Sequence, residues 1–567
     1  FRSHRVRQTT HRRLHHYGLG GGWRGGGGAR RPFGRSVLRD EDDEREKTEK
    51  SHATHEHGFS PPARGWKARA TFATMAFAFA LVGAGCTEKR TDPNRPLEVL
   101  VSQAPETLDP RYATDAVGLR TTRLVHAGLF GLEAETLAPV PLLAESYRFE
   151  GPLELHVKLR ENVRFHGGKA LDSADVVATL RAFVNPKVAS RHAKVLETIA
   201  SVDAEGPHGV KIVLAKPHAT LLTDLEIPIL RADQAASAPA PDGTLDGLGP
   251  FRVARVGEGV VELVPDDTHA VPMPKHAVTL RAVRDENARA LRLHAGSADI
   301  VQNGFSPVLL PSFSDVRAGT GLTVVTRPGV SLTYVLPRCD RGVMQDVRVR
   351  RAVSLAMDRE LVARTLFAGH AKPAGTLLPE GHWARPRIAE AEKRDLAKAR
   401  ALVAEANAQG AHVSLLVSTD RSRKVLARVL AAELEEAGFV VEIVPLELGT
   451  MLARLGAGDF ELAMLQLPEL IEPNVLRTFL HGELVPPRGS NRGRVRDANL
   501  DALLDEGDAT LDVDARAVAY AKLEALIRFN AYVLPLVHED HVAVVSERAR
   551  AYVPNRDGRF GNLVSLP

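Results

Sequence analysis

Residues 411–447 constrain the fold more than any other stretch. They read AHVSLLVS, then RSRKVLARVLAAELEEAGF after a two-residue gap, then VVEIVPLE. The outer segments are short apolar runs of strand length, and the middle one carries Val425, Val429 and Leu430 on one helical face. Gly438 marks the helix stop. A helix between two strands brings them together in parallel, whereas antiparallel neighbours need only a short hairpin. The chain therefore contains at least one layer of helix on parallel sheet.

The same alternation recurs elsewhere. In ELHVKLR (154–160), Leu155, Val157 and Leu159 share one strand face, while His156, Lys158 and Arg160 share the other; VKIVLAK (210–216) repeats the pattern. DVRVRRAVSLAMDRELVARTLFAG places Val349, Ala352, Val353, Ala356 and Met357 at helical spacing, with Gly369 after it. A chain of 567 residues exceeds one hydrophobic core, and at roughly 150 residues per domain it implies three or four. The class read from these segments is α/β, mixed α+β, built from several lobes.

The N-terminal part reads differently. GLGGGWRGGGGARR is Gly/Arg low complexity and RDEDDEREKTEKSHATHEHG is a charge block, neither with apolar periodicity. Residues 1–62 are read as a disordered or non-native leader. Then Arg64, Lys67 and Arg69 precede the mostly apolar run Ala70–Val82, and Gly83, Ala84 and Gly85 lead into Cys86. A membrane span needs about 20 apolar residues, so this run is too short, and its length and flanks fit a secretory signal peptide over 63–85. The segment resembles a bacterial lipoprotein signal, with Cys86 as the lipidated residue, Gly83 where Leu is usual, and 86–95 as a polar tether. Cys339 is then the one thiol left. Residues 1–70 hold 16 Lys/Arg against 8 Asp/Glu, leaving the remainder net acidic, which gives no electrostatic basis for nucleic-acid binding.

Catalytic motifs are missing from the sequence. His538 and His541 in VHEDHV are three apart in a strand-like segment, whereas a zincin helix needs four. There is no G-x-S-x-G elbow, and HGGKA (166–170) lacks the distal Gly and Ser/Thr of a phosphate-binding loop. No metal or cofactor is implied.

Several stretches in order resemble the family 5 extracellular solute-binding proteins of ABC transporters, the oligopeptide- and dipeptide-binding group. These are APETLDPRYATD (104–115), LAPVPLLAESY with LHVKLRENVRFHGGKALDSADVVATL (137–180), GLGPFRV (247–253), GSADI (296–300), DVRVRRAVSLAMDRELVARTLFAGHAKPA (346–374) and GSNRGRVRDANLDALLDEG (489–507). Within the second, Asp172 is a candidate N-cap with Asp175 closing a variant capping box. The resemblance implies a two-lobed periplasmic-binding-protein-like fold with an additional inserted domain. One lobe is expected from 96–131, 249–336 and 536–567, the inserted domain from 132–248, and the second lobe from 337–535.

The resemblance also implies a ligand site between the lobes. In peptide binders of the family, a G-W-x-A-D-Y-x-D-P stretch lines the pocket and its first Asp pairs with the ligand ammonium. Aligning on Glu472 and Pro473, LQLPELIEP (465–473) puts Glu469 at that Asp and Gln466 at the tryptophan. Tyr112 and Thr114, in the opening segment, complete the implied ligand-binding set. Glu469 reads equally well as a solvated loop acid. A second departure is TYVLPRCDRG (333–342), with Leu336 and Pro337 where relatives carry Phe-Asn. The implied activity is non-enzymatic capture of a peptide or small amine-bearing solute for an ABC permease and its ATPase, by a monomer held to the membrane through its N-terminal lipid. A lipid-anchored envelope hydrolase and a solute receptor without a transport role stay open as alternatives.

Overall fold

Two long antiparallel strands, Thr323–Pro337 and Leu534–Val545, run through the centre of an eleven-stranded mixed sheet. The computed structural model describes residues 95–239, 242–313, 321–387 and 390–567; the leader, the signal segment and Cys86 lie outside them. On one side of the long pair the sheet continues through Leu462–Leu467, His412–Ser418 and Val440–Leu446. On the other it continues through Ile300–Gln302, Leu97–Val101, Val278–Ala282, Val260–Pro265 and Phe251–Gly257. Ala371–Pro373 pairs separately with Leu534–Val545. Each half has its own apolar cores, so the molecule is two α/β lobes sharing a pair of strands.

The shared pair is not uniform. Its register runs from Thr323 opposite Val545 to Arg327 opposite His541, breaks, and resumes with Ser331 opposite Glu539. Pro328 and Gly329 occupy the break. Proline cannot donate to a ladder, so a proline inside a strand marks a bulge or an edge. Gly329 is needed for a different reason: a Cβ there would lie 2.5 Å from the Glu539 carbonyl oxygen. The bulge is the point where the strands pass from one lobe to the other.

The parallel unit read from residues 411–447 forms as His412–Ser418, helix Arg421–Glu436 and Val440–Leu446, the strands pairing in parallel residue for residue. Asp420 caps the helix by accepting from Ser422 N and Arg423 N. The buried stripe differs from the one read in the sequence. Leu426, Leu430 and Leu434 face the sheet with Ala427 and Ala431, whereas Val425 is 39% exposed. Apolar residues spread over so wide an arc here that the phase of the stripe is fixed only by packing against the strands. Pro445 is tolerated because Val440–Leu446 ends the sheet.

The third part is an antiparallel sheet of Ala144–Glu150, Glu154–Leu159, Gly209–Leu214 and Ile199–Ala204, in that spatial order, packed with helix Ser173–Val184. Leu155, Val157 and Leu159 all turn inward onto Val176, Leu180 and Phe183 of the helix side, each fully buried side chain contributing about 1.5–3 kcal/mol. The capping box forms: Asp172 accepts from Asp175 N while Asp175 accepts from Asp172 N. Asp175 does more than cap, since it is fully buried and also accepts from Lys169 Nζ at 2.6 Å and Ala232 N at 2.8 Å.

A methyl group at Gly329 has no room without moving the Glu539 peptide. Gly329→Ala is expected to cost about 1–3 kcal/mol, the usual range for overpacking, read as a lowered midpoint in thermal unfolding. An unchanged midpoint would show that the bulge relaxes freely.

Candidate ligand-binding cleft

The strand Leu462–Leu467 ends at Pro468, and the loop that follows is pinned to the bulge of the long pair. Leu470 N donates to Val330 O at 3.2 Å, Ser331 Oγ donates to the Pro468 carbonyl at 3.2 Å, and the Leu470 side chain is buried. Anchored on both sides, the loop turns Glu469 towards the other lobe, where its carboxylate lies 3.7 Å from the Arg120 guanidinium. That separation is too long for a hydrogen bond. Arg120 projects from helix Ala116–Val125, whose N-terminus is capped by Asp115 accepting from Gly118 N. The negative charge of Glu469 is also felt at Arg559.

The rest of the predicted set is distributed unevenly. Gln466 is exposed on its strand opposite Thr333, and Thr333 Oγ1 accepts from Arg423 Nη1 at 2.7 Å while donating to Glu539. Tyr112 spends its hydroxyl on the Val188 carbonyl at 2.9 Å and packs against the inserted domain's core. Thr114 is exposed just before the Arg120 helix. No hydrogen bond or ion pair among the described residues joins Tyr112 or Thr114 to Glu469 or Gln466.

Sequence reasoning missed the partners that shape this region. Glu226 of the inserted domain pairs with Arg123 at 3.1 Å and with both terminal nitrogens of Arg559, tying three parts of the chain together. Glu472, used above only as an alignment anchor, pairs with Arg516, whose guanidinium stacks 4.9 Å from the Trp383 ring. Arg516 Nη1 also reaches the Ala219 carbonyl at 3.4 Å, linking the second lobe to the inserted domain. In LDPR the carboxylate of Asp109 accepts from Arg111 Nε and Nη2 at 2.9 and 2.5 Å, both side chains fully buried, and Arg111 Nη1 donates to the Ser237 carbonyl. An Asp and an Arg two residues apart around a proline were the only signal for that joint.

One group of possible metal ligands stands out among the described residues: Glu150, Glu154 and His156, on the inserted domain. Both carboxylates already face cations, Arg148 at 3.1 Å and Lys211 at 2.8 Å.

Residues 138–469 match the bacterial extracellular solute-binding proteins, family 5 Middle, over more than half of the chain. The chain belongs to this family. Probable di/tripeptide-binding protein 5 of Pseudomonas aeruginosa is 28% identical over 455 residues, 74% of this chain and 85% of its own length. Glutathione-binding protein GsiB of Escherichia coli K12 is 27% identical, covering 63% of this chain and 70% of its own. The structure of HbpA2 from Haemophilus parasuis shares the fold, with a TM-score of 0.72 at 22% identity over 82% of this chain and 98% of that one. This family 5 protein is thus an extracytoplasmic binding protein and not an enzyme. No helix among its described residues is long and apolar enough to cross a membrane.

Buried histidines of the family 5 protein oppose folding in acid. Burial pushes His382, His538 and His541 down to about 4, and His126 to about 3, with neighbouring positive charge adding to the effect at each. A histidine whose folded value lies below its ordinary 6.5 stabilises the fold fully above 6.5. That stability is lost as pH falls from 6.5 towards the folded value, at up to about 1.4 kcal/mol per pH unit per group. Burial also holds Glu433 and Glu524 up at about 7 and Asp540 at about 6, and these acids gain stability as pH falls through the same range, so the histidines' share is read by substitution and not from the whole profile. Neither ring nitrogen of His126 has a hydrogen-bond partner, so His126→Phe should raise the midpoint at pH 5 and flatten the profile, as calorimetry at stepped pH would read. A parallel profile would remove His126 from the account.

Proposed function

We propose that this chain captures short peptides in the cleft between its lobes and delivers them to an ABC permease. The observation that carries the reading is the Glu469 carboxylate, held by an anchored loop at the meeting of the lobes, with no hydrogen-bond donor of the protein spent on it. A carboxylate in a partly dry cleft suits a peptide's free ammonium. The relatives that bind di- and tripeptides and glutathione support a ligand of two or three residues. Gln466 is exposed on the strand leading to this loop, and Thr114 precedes the helix that carries Arg120, so both are proposed to border the ligand. Tyr112 is proposed to support that segment through its bond to Val188. The protein is proposed to act as a monomer, each molecule having a complete cleft, and to be held at the membrane by lipid on Cys86.

Two measurements test this. With alanyl-alanine or trialanine as ligand, Glu469→Gln is expected to weaken binding at least roughly tenfold by titration calorimetry, with an unchanged melt. Equal affinities would leave Glu469 a solvated loop acid and remove the carrying observation. Separately, Cys86→Ser is expected to move the exported protein from the membrane fraction to the soluble envelope fraction. A variant that still pellets with membranes would overturn the anchor.

A further inference from the structure

The second lobe holds a cavity of about 470 Å³, within the size range of small-molecule sites, about 300–1,000 Å³. Helices Val347–Ala356, Leu396–Glu405 and Val513–Asn530 line it, with Leu534 and Pro535 of the long strand beside them. This is not the cleft. The bulge that anchors the Glu469 loop faces Glu539, whereas Leu534 pairs with Val335 deep in the second lobe. Glu539 and Leu534 stand five residues apart on the strand, about 17 Å at the usual rise per residue.

The walls are of two kinds. Leu355, Leu402, Ile527 and Val533 give an aliphatic lining, while Arg351, Arg359, Lys398 and Arg528 bring four cations against the acids Glu392 and Glu524. Neither acid answers them. Both Glu524 oxygens accept from the Leu377 and Leu378 amides at 3.1 and 3.0 Å, and burial holds that carboxyl up at about 7. Glu392 Oε2 accepts from the Ser354 hydroxyl at 2.6 Å. The Lys398 and Arg528 side chains make no hydrogen bond or ion pair with any described residue. Arg351 donates only through Nε, to the Phe529 carbonyl at 2.9 Å.

Arg359 decides what the cavity suits. It is only 3% exposed. It donates to the carbonyls of Pro535, Ser354 and Glu392 at 2.8, 2.9 and 3.3 Å, and to Ser354 Oγ at 2.9 Å. All four acceptors are neutral, and no carboxylate of the described residues forms an ion pair with it. Its N–H groups are thus held while its charge has no counter-ion. Burial pushes the guanidinium down to about 10, with Glu392 opposing the effect and Arg528 adding to it. A buried cation is normally paired, because an uncompensated charge is costly away from water. An anion in the cavity supplies the missing charge.

We propose that this cavity is a second binding site, separate from the cleft, for an aliphatic carboxylate whose acid group faces Arg359 and Arg528 and whose chain packs on Leu355, Leu402, Ile527 and Val533. The proposal goes beyond the peptide reading and does not rest on it. Both halves of the ligand are needed. A bare anion leaves the aliphatic lining unused and stays better hydrated in water, while a neutral alcohol buries the same chain and leaves Arg359 uncompensated.

The test titrates octanoate, acetate and octanol into the full chain by calorimetry. Octanoate is expected to bind and to raise the melting temperature, with acetate and octanol each at least roughly tenfold weaker. Arg359→Gln should cost octanoate at least roughly tenfold in affinity, with part recovered in Arg359→Lys. Arg359 also holds three carbonyls, so a second variant guards against a loosened fold. Ala525 lines the cavity from an exposed position on helix Val513–Asn530, and Ala525→Trp should block octanoate while melting like wild type. Glu469→Gln should bind octanoate as wild type does, since that acid borders the cleft. No binding of octanoate, equal binding of octanol, or an Ala525→Trp protein that binds octanoate normally would overturn the site. A changed octanoate affinity in Glu469→Gln would place the anion in the cleft and overturn it as well.

Discussion

The backbone ladder between Thr323–Pro337 and Leu534–Val545 is the interaction on which the rest of the molecule depends. It is the longest strand pairing present, and each lobe uses one end of it as an interior strand of its own sheet. Cutting it would leave both cores with an open edge. The bulge at Pro328 and Gly329 interrupts the ladder where the lobes separate, so bending there loosens few native bonds. The same bulge anchors the loop that carries Glu469, through Val330 and Ser331. The bulge and the Glu469 loop are therefore one structural unit.

Much of the architecture could be read from the sequence, because strand and helix periodicities report local burial directly. The parallel unit at 411–447, the capping box at Asp172 and the inward face of Leu155, Val157 and Leu159 all follow from patterns a few residues long. The helical stripe containing Val425 was misjudged because the apolar arc is wide, and only the sheet beneath decides its phase. The motif residues that carried the family resemblance prove to be joints. Asp299 of GSADI binds Arg95, Ser546, Arg548 and the Glu98 amide; Asn491 of GSNRG is fully buried and bonds to four backbone groups of its own corner. Such positions tolerate few alternatives, so they stay recognisable.

The cleft chemistry was hardest to read for the opposite reason. Arg120 and Glu469 come from a helix and a loop hundreds of residues apart, and neither has a local pattern that distinguishes it from a solvated charge. An arginine on an amphipathic helix is ordinary in sequence. It becomes informative only when the fold places its guanidinium 3.7 Å from a carboxylate of the second lobe. The Glu226–Arg559 and Glu472–Arg516 pairs were equally silent, since pairing partners at such separation are set by topology alone.

The balance of charge across the cleft bears on how the lobes come together. Arg120 and Glu469 attract across 3.7 Å without a hydrogen bond, and a partly exposed pair of that kind contributes about 0–1 kcal/mol. The joints of Arg516 with Ala219 and of Glu226 with Arg559 bind the inserted domain to its neighbours but do not involve that pair. Closure of the lobes is thus weakly favoured by the protein's own cross-cleft charges. A ligand shifts such an equilibrium only by the difference in its contacts to the two states. A ligand that touches both lobes makes its full set of contacts only when they meet, so part of its binding energy appears as closure. A ligand held by one lobe alone would leave the equilibrium nearly where it was.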